Sequence, residues 1–111
     1  MVARGELWWV DFGDPVGSAP GYRRPAVVIS SDRFNRSRLV KVLVAAVTSN
    51  LRIATAPGNV MLPPDPLPKP SVVNVTQLLA VDRVLLDDRI GRLMAADLRK
   101  LDDGLRLVLD L

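Results

Sequence analysis

From Leu39 to Val47 every position except Lys41 is apolar, and the run stops on the hydroxyl of Thr48. Such a stretch is too short to cross a bilayer and too unbroken for a strand with one wet face. It predicts a strand, Leu39 to Thr48, buried on both faces as in a barrel. Upstream, Arg23-Arg24-Pro25-Ala26-Val27-Val28-Ile29-Ser30 predicts another strand from Ala26 to Ser30. Pro25 opens it, where a missing N–H does least harm. Each of the two strands has a polar residue at one end, Arg24 and Thr48, and that pair is where chemistry is expected.

The remaining segments fit around this pair. Glu6 to Phe12 has the aromatic and β-branched content of a strand, followed by Asp-Phe-Gly-Asp-Pro turn chemistry and a Gly- and Pro-bearing loop, Val16 to Tyr22. Ser31 to Arg36 reads as one capped helical turn. Asn59 to Leu62 is a short strand candidate. Pro63 to Pro70 holds five of the nine prolines, so it is stiff, extended and excluded from a sheet interior. Strands are expected over Ser71 to Gln77 and Val81 to Asp87, then a helix from Ala95 to Val108 with Leu98, Leu101, Leu105 and Val108 on one face. The fold class is α+β, mainly β: a small antiparallel barrel with a short helix after its second strand and a C-terminal helix. All 111 residues are expected to form one domain, soluble and cytoplasmic, with no leader or membrane span.

The residue inventory limits the chemistry. With no His and no Cys, the chain has no imidazole base, no thiolate and no conventional zinc site. The twelve Asp and Glu are scattered, and the adjacent pairs Asp87-Asp88 and Asp102-Asp103 point apart, so no metal and no cofactor is expected. What remains is guanidinium, hydroxyl, amide and backbone. That set suits phosphate, which Arg grips with a bidentate fork. A formal charge of +3 agrees with an anionic partner.

Taken in order, Arg4-Gly5-Glu6-Leu7-Trp8, Val10-Asp11-Phe12, Gly17-Ser18, Arg24 to Ser30, Val44 to Ser49, Ser71-Val72-Val73, Gln77 and the terminal Leu-Val-Leu-Asp-Leu span nearly the whole chain. In these fragments and their spacing the chain resembles the MazF/PemK/Kid toxins of bacterial toxin–antitoxin systems. The resemblance implies a Src-homology-3-like barrel, usually homodimeric, and a sequence-selective, metal-independent endoribonuclease. It also implies a cognate antitoxin whose extended acidic tail occupies the RNA grooves. Arg24 and Thr48 match the family's catalytic Arg and Thr, Gly17-Ser18 its closing loop, and Gln77 a polar position that meets RNA. One departure is plain: the family's common loop reads Gly-Ser-Glu, and here Ala19 and Pro20 follow Ser18.

The reaction is chemically reasonable for such an inventory. RNA carries its own nucleophile, so an enzyme need only align the 2′-hydroxyl with phosphorus, disperse charge in the transition state and assist the departing 5′ oxygen. The products are a 2′,3′-cyclic phosphate and a 5′-hydroxyl. Arg24 is expected to clamp the phosphate and Thr48 to donate to a non-bridging oxygen; a guanidinium holds its proton too tightly to be a good base. Single-stranded RNA is the expected substrate, read by stacking and edge contacts. Phe12, Gly17, Ser18, Tyr22 and Arg23 on the first loop, Ser49, Asn50 and Arg52 after Thr48, and Gln77 are the binding candidates. Trp8 and Trp9 face opposite sides of one strand, so one is core and the other an interface or substrate shelf. Arg33, Arg36 and Arg38 form either a solvated face or a phosphate track, and the Pro63 to Pro70 segment is either a connector or a specificity wall. Two alternatives share the fold: a CcdB-like gyrase poison, disfavoured because no Trp follows Trp9, and a catalytically lapsed RNA-binding module.

Overall fold

The computed structural model describes residues 2–18 and 21–111. Its elements run β1 (Glu6–Asp11), β2 (Arg23–Val28), α1 (Asp32–Asn35), β3 (Lys41–Thr48), β4 (Val60–Leu62), β5 (Ser71–Asp82), β6 (Leu86–Arg92) and α2 (Ala95–Leu109). Short 3-10 turns, Leu51–Ile53 and Arg83–Leu85, join β3 to β4 and β5 to β6. Every strand pair is antiparallel, and the sheet order is β4-β5-β3-β2-β1-β6. The expected barrel is therefore a curled half-barrel with β4 and β6 at its edges.

Burial on both faces of β3 is what the curl achieves. Val44, Ala45, Ala46 and Val47 are all buried, with Val42 and Val44 in one apolar cluster and Ala45 and Val47 in another. Leu7, Val27, Ala45, Val47 and Val73 face Leu101 and Leu105 of α2. Val10, Ala26, Val28, Val44 and Val81 face the other way, where Trp8, Phe12 and Leu85 close over them. Ser31 caps α1 by accepting the Phe34 N–H, as its sequence position implies.

Strand boundaries differ from expectation: β1 ends at Asp11 rather than Phe12, β2 ends at Val28 rather than Ser30, β4 begins at Val60 rather than Asn59, and the starts of β2 and β3 and the division of β5 from β6 also differ. β2 begins at Arg23, two residues before Pro25, and Pro25 lies inside the strand opposite Trp9. Pairing with β3 spans only Ala26 to Val28, so at Pro25 one side of the strand has no partner and a proline is tolerated. β3 begins at Lys41 rather than Leu39. The two strands expected over Ser71 to Gln77 and Val81 to Asp87 are one 12-residue strand, β5, followed by β6 at Leu86–Arg92. Leu78-Leu79-Ala80 contains no turn residue, and β3 pairs with it throughout, absorbing the bend in a register shift between Ala45 and Val47.

The topology brings distant segments to one corner. The start of β2, the end of β3, the start of β5 and the middle of β1 all meet there, since Trp9 pairs with Pro25 and Thr48 with Val72.

Candidate active site

Arg24 enters this corner from β2. Its Nε–H donates to the Gly21 carbonyl oxygen at 3.0 Å, and neither terminal amine of its fork has a partner among the described residues. The anchor is itself fixed. Gly21 sits so close to Pro15 that a Cβ there would lie 2.5 Å from the proline ring. Tyr22, in the left-handed region at φ 60°, exchanges backbone hydrogen bonds with Phe12 and Gly13. The guanidinium is thus oriented by one edge and open at the other, the arrangement that grips an oxyanion bidentately.

Thr48 is the last residue of β3. Its Oγ1 accepts the Asn50 N–H at 3.1 Å, and Asn50 Oδ1 in turn accepts the Arg52 N–H at 3.2 Å, capping the 3-10 turn. Those bonds set the direction of the hydroxyl and leave its proton uncommitted. Arg24 and Thr48 line one depression of about 380 Å³, together with Ser49 and Asn50. Trp9 and Pro25 line it from β1 and β2, and Leu67, Pro68, Lys69 and Ser71 from the segment that leads into β5. Among the described residues, two cations border it and no carboxylate does.

The other candidates lie elsewhere. Arg23, one residue from Arg24, projects to the opposite face, where its guanidinium lies 4.6 Å from the centre of the Trp9 ring. It also donates to both Asp87 oxygens at 3.1 Å and to Asp88 at 3.2 Å. The hydrogen bond to Asp87 is the main cause of a raised Arg23 pKa, opposed by desolvation, with the charges of Asp87 and Asp88 adding to the rise. Arg23 therefore packs on the ring of Trp9 while paired to β6. Gln77 donates to the Ser18 carbonyl oxygen at 2.7 Å, so β5 holds the loop that carries Gly17 and Ser18. Phe12 packs on the second cluster and borders a separate depression of about 270 Å³ beside Val16 and Leu79. Tyr22 is exposed. Ala19 and Pro20 lie outside the described residues.

Trp8 packs, partly buried, on the second apolar cluster, and Trp9 lines the depression. Arg33, Arg36 and Arg38 follow β2 at the end of the sheet remote from Arg24, roughly 20 Å away along β3. The sequence reading left Lys69 and Leu67 unsingled. Leu67 is the only non-proline apolar residue and Lys69 the only cation between Pro63 and Pro70, and those two exceptions mark where the segment turns into the protein.

A family model of PemK-like, MazF-like toxins of type II toxin–antitoxin systems matches residues 3–109. Endoribonuclease MazF6 of Mycobacterium tuberculosis is 47% identical over 113 residues, covering 100% of this chain and 99% of that protein. Among solved structures, MazF of Deinococcus radiodurans superposes with a TM-score of 0.82 at 24% identity, covering 99% of this chain and 97% of that one. A mycobacterial endoribonuclease in complex with its cognate antitoxin gives 0.80 at 24% identity, covering 100% and 97%.

Proposed function

The chain belongs to the PemK-like, MazF-like toxins of type II toxin–antitoxin systems, and from that premise we propose that it is the endoribonuclease of such a pair, cutting single-stranded RNA at phosphates held by Arg24 and Thr48. The whole chain is read as one toxin domain acting in the cytoplasm. The observation that carries the reading is the open fork of Arg24 and the free hydroxyl proton of Thr48 in one depression without a carboxylate.

In this reading the 2′ oxygen attacks phosphorus and its proton passes to water. Negative charge grows on the non-bridging oxygens, where the Arg24 fork and the Thr48 hydroxyl donate. The bond from phosphorus to the 5′ oxygen breaks, and that oxygen takes a proton from solvent while Arg24 hydrogen-bonds to it. The ends are a 2′,3′-cyclic phosphate and a 5′-hydroxyl, and DNA is inert for want of the nucleophile. Ser49 and Asn50 contact the nucleotides on either side, and the loop held by Gln77 closes from above. A cognate antitoxin with an acidic tail competes for the same cations, and the toxin works as a homodimer.

The test is incubation of the purified protein with a long mixed-sequence RNA in excess EDTA, beside Arg24→Ala and Thr48→Ala. Discrete cuts leaving cyclic phosphates are expected from wild type, with each variant slower by at least about 10²-fold. A folded wild type that cuts nothing would leave a lapsed RNA-binding module or a gyrase poison in its place.

A further inference from the structure

We propose that Lys69 is a phosphate-binding residue of this active site, gripping the phosphate next to the scissile one and so fixing the register of the RNA. The proposal rests on the endoribonuclease reading and adds to it a residue from the proline-rich segment.

The first support is how firmly its backbone is held. Leu67, two residues earlier, is 2% exposed and packed in the main core with Leu7 and Leu62. Pro68 and Pro70 flank Lys69 and restrict φ on both sides. The Ser71 hydroxyl donates to the Lys69 carbonyl oxygen at 3.0 Å, and Ser71 is itself buried and paired to Leu62 of β4. A loop position in this condition spends little further entropy on binding; only the side chain is left to order.

The second support is the disposition of charge. Arg4, Arg23, Lys41, Arg89 and Arg106 are each paired with a carboxylate. The other ten cations, Lys69 and Arg24 among them, have no such partner among the described residues, but of those ten only Lys69 and Arg24 border this depression. Asp65, the one acid of the proline-rich segment, lines a different small cavity with Arg92. Two uncompensated cations bordering one depression raise each other's electrostatic energy, and an anion bound there relieves it. A single scissile phosphate satisfies Arg24. A chain of phosphates satisfies both.

A contact of this kind has its own signature in binding. An ammonium is a compact point charge without a fork, so Lys69 is expected to add affinity for phosphate at every sequence alike. Each phosphate neutralised on a single strand contributes about 0.7 to the slope of log K against log salt.

The experiment uses the RNA segment that wild type cuts, made uncleavable by a 2′-O-methyl group at the cut site. Its affinity is measured across a KCl series for wild type, Lys69→Ala, Lys69→Arg and, as a control on the exposed helix surface, Arg99→Ala. Lys69→Ala should flatten the slope by about 0.7 and raise KM several-fold with kcat nearly unchanged. Lys69→Arg should restore both, and Arg99→Ala should change neither. Wild type that cuts and binds, beside a Lys69→Ala of unaltered slope, overturns the proposal and leaves the ribonuclease reading intact. A loss confined to kcat also overturns it, placing Lys69 in the chemistry instead. A wild type that neither cuts nor binds RNA removes both readings together.

Discussion

Glu6 is the only carboxylate buried among the described residues, and everything around it donates. Its Oε1 accepts the Ala3 N–H at 2.7 Å and the Trp8 indole N–H at 3.3 Å, and its Oε2 accepts the Arg89 Nε–H at 2.7 Å. Burial pushes the carboxyl pKa up, but the Ala3, Arg89 and Trp8 donors outweigh it, and the group is held below its ordinary value. A depressed folded pKa means that Glu6 adds stability above the unfolded value of about 4.3 and loses it as pH falls through the folded one. Glu6→Gln should cost on the order of 1–3 kcal/mol at pH 7, toward the lower figure because half-exposed Arg89 is screened by solvent. Denaturant unfolding at successive pH values should show the gap between wild type and variant closing below about pH 4; a constant gap would refute the assignment. At this scale the sequence was informative where a residue stands at a strand end and opaque where its partner is remote. Arg24 and Thr48 were legible as strand-terminal polar groups. Arg23 was read as an RNA-binding candidate of the first loop, and only the alternation of β2 and the register of β6 commit it to Asp87 and Asp88.

Among the elements, α2 has the most exacting contact. Gly104 lies in its interior, where glycine costs about 1 kcal/mol relative to alanine. A Cβ at that position would stand 2.2 Å from the Gly58 carbonyl oxygen and 3.0 Å from its carbonyl carbon. The helix therefore packs backbone to backbone on the loop before β4, and no flexible side chain is there to yield. Gly104→Ala, which raises helix propensity, should instead lower stability by about 1–3 kcal/mol, read as a fall in thermal midpoint. A rise would show that the loop gives way easily. Helix α2 was plain in the sequence from its leucine spacing, and its predicted end misses by one residue. The boundary between β5 and β6 was not plain. A strand that curves through a half-barrel is divided by register with its neighbour and by the Arg83–Leu85 turn, and neither has a strong local residue signature.

For the whole molecule, the two-faced burial of β3 was the feature that announced a barrel, and the sheet's curl confirms it. The same curl leaves apolar surface at the end of α2. Leu107, Leu109 and Leu111 are 65%, 48% and 85% exposed, and Leu109 and Leu111 border a groove of about 460 Å³ with Leu43 and Ile29. The proposed homodimer would bury this patch across a two-fold axis. Sedimentation equilibrium at micromolar concentration should find wild type dimeric and Leu109→Lys with Leu111→Lys monomeric yet folded; a monomeric wild type would disprove the assembly.

The wall carrying Lys69 touches the interior chiefly through Leu67, with Pro66 lying against Gly91. Its other residues, Pro63 to Asp65 and Pro68 to Pro70, stand outside the core. Descent with modification can therefore rewrite those positions with little penalty to folding. On the proposed reading, a lineage could drift toward a new RNA target while inheriting Arg24, Thr48 and the scaffold unchanged, so that the diet of the enzyme and its durability are free to evolve apart.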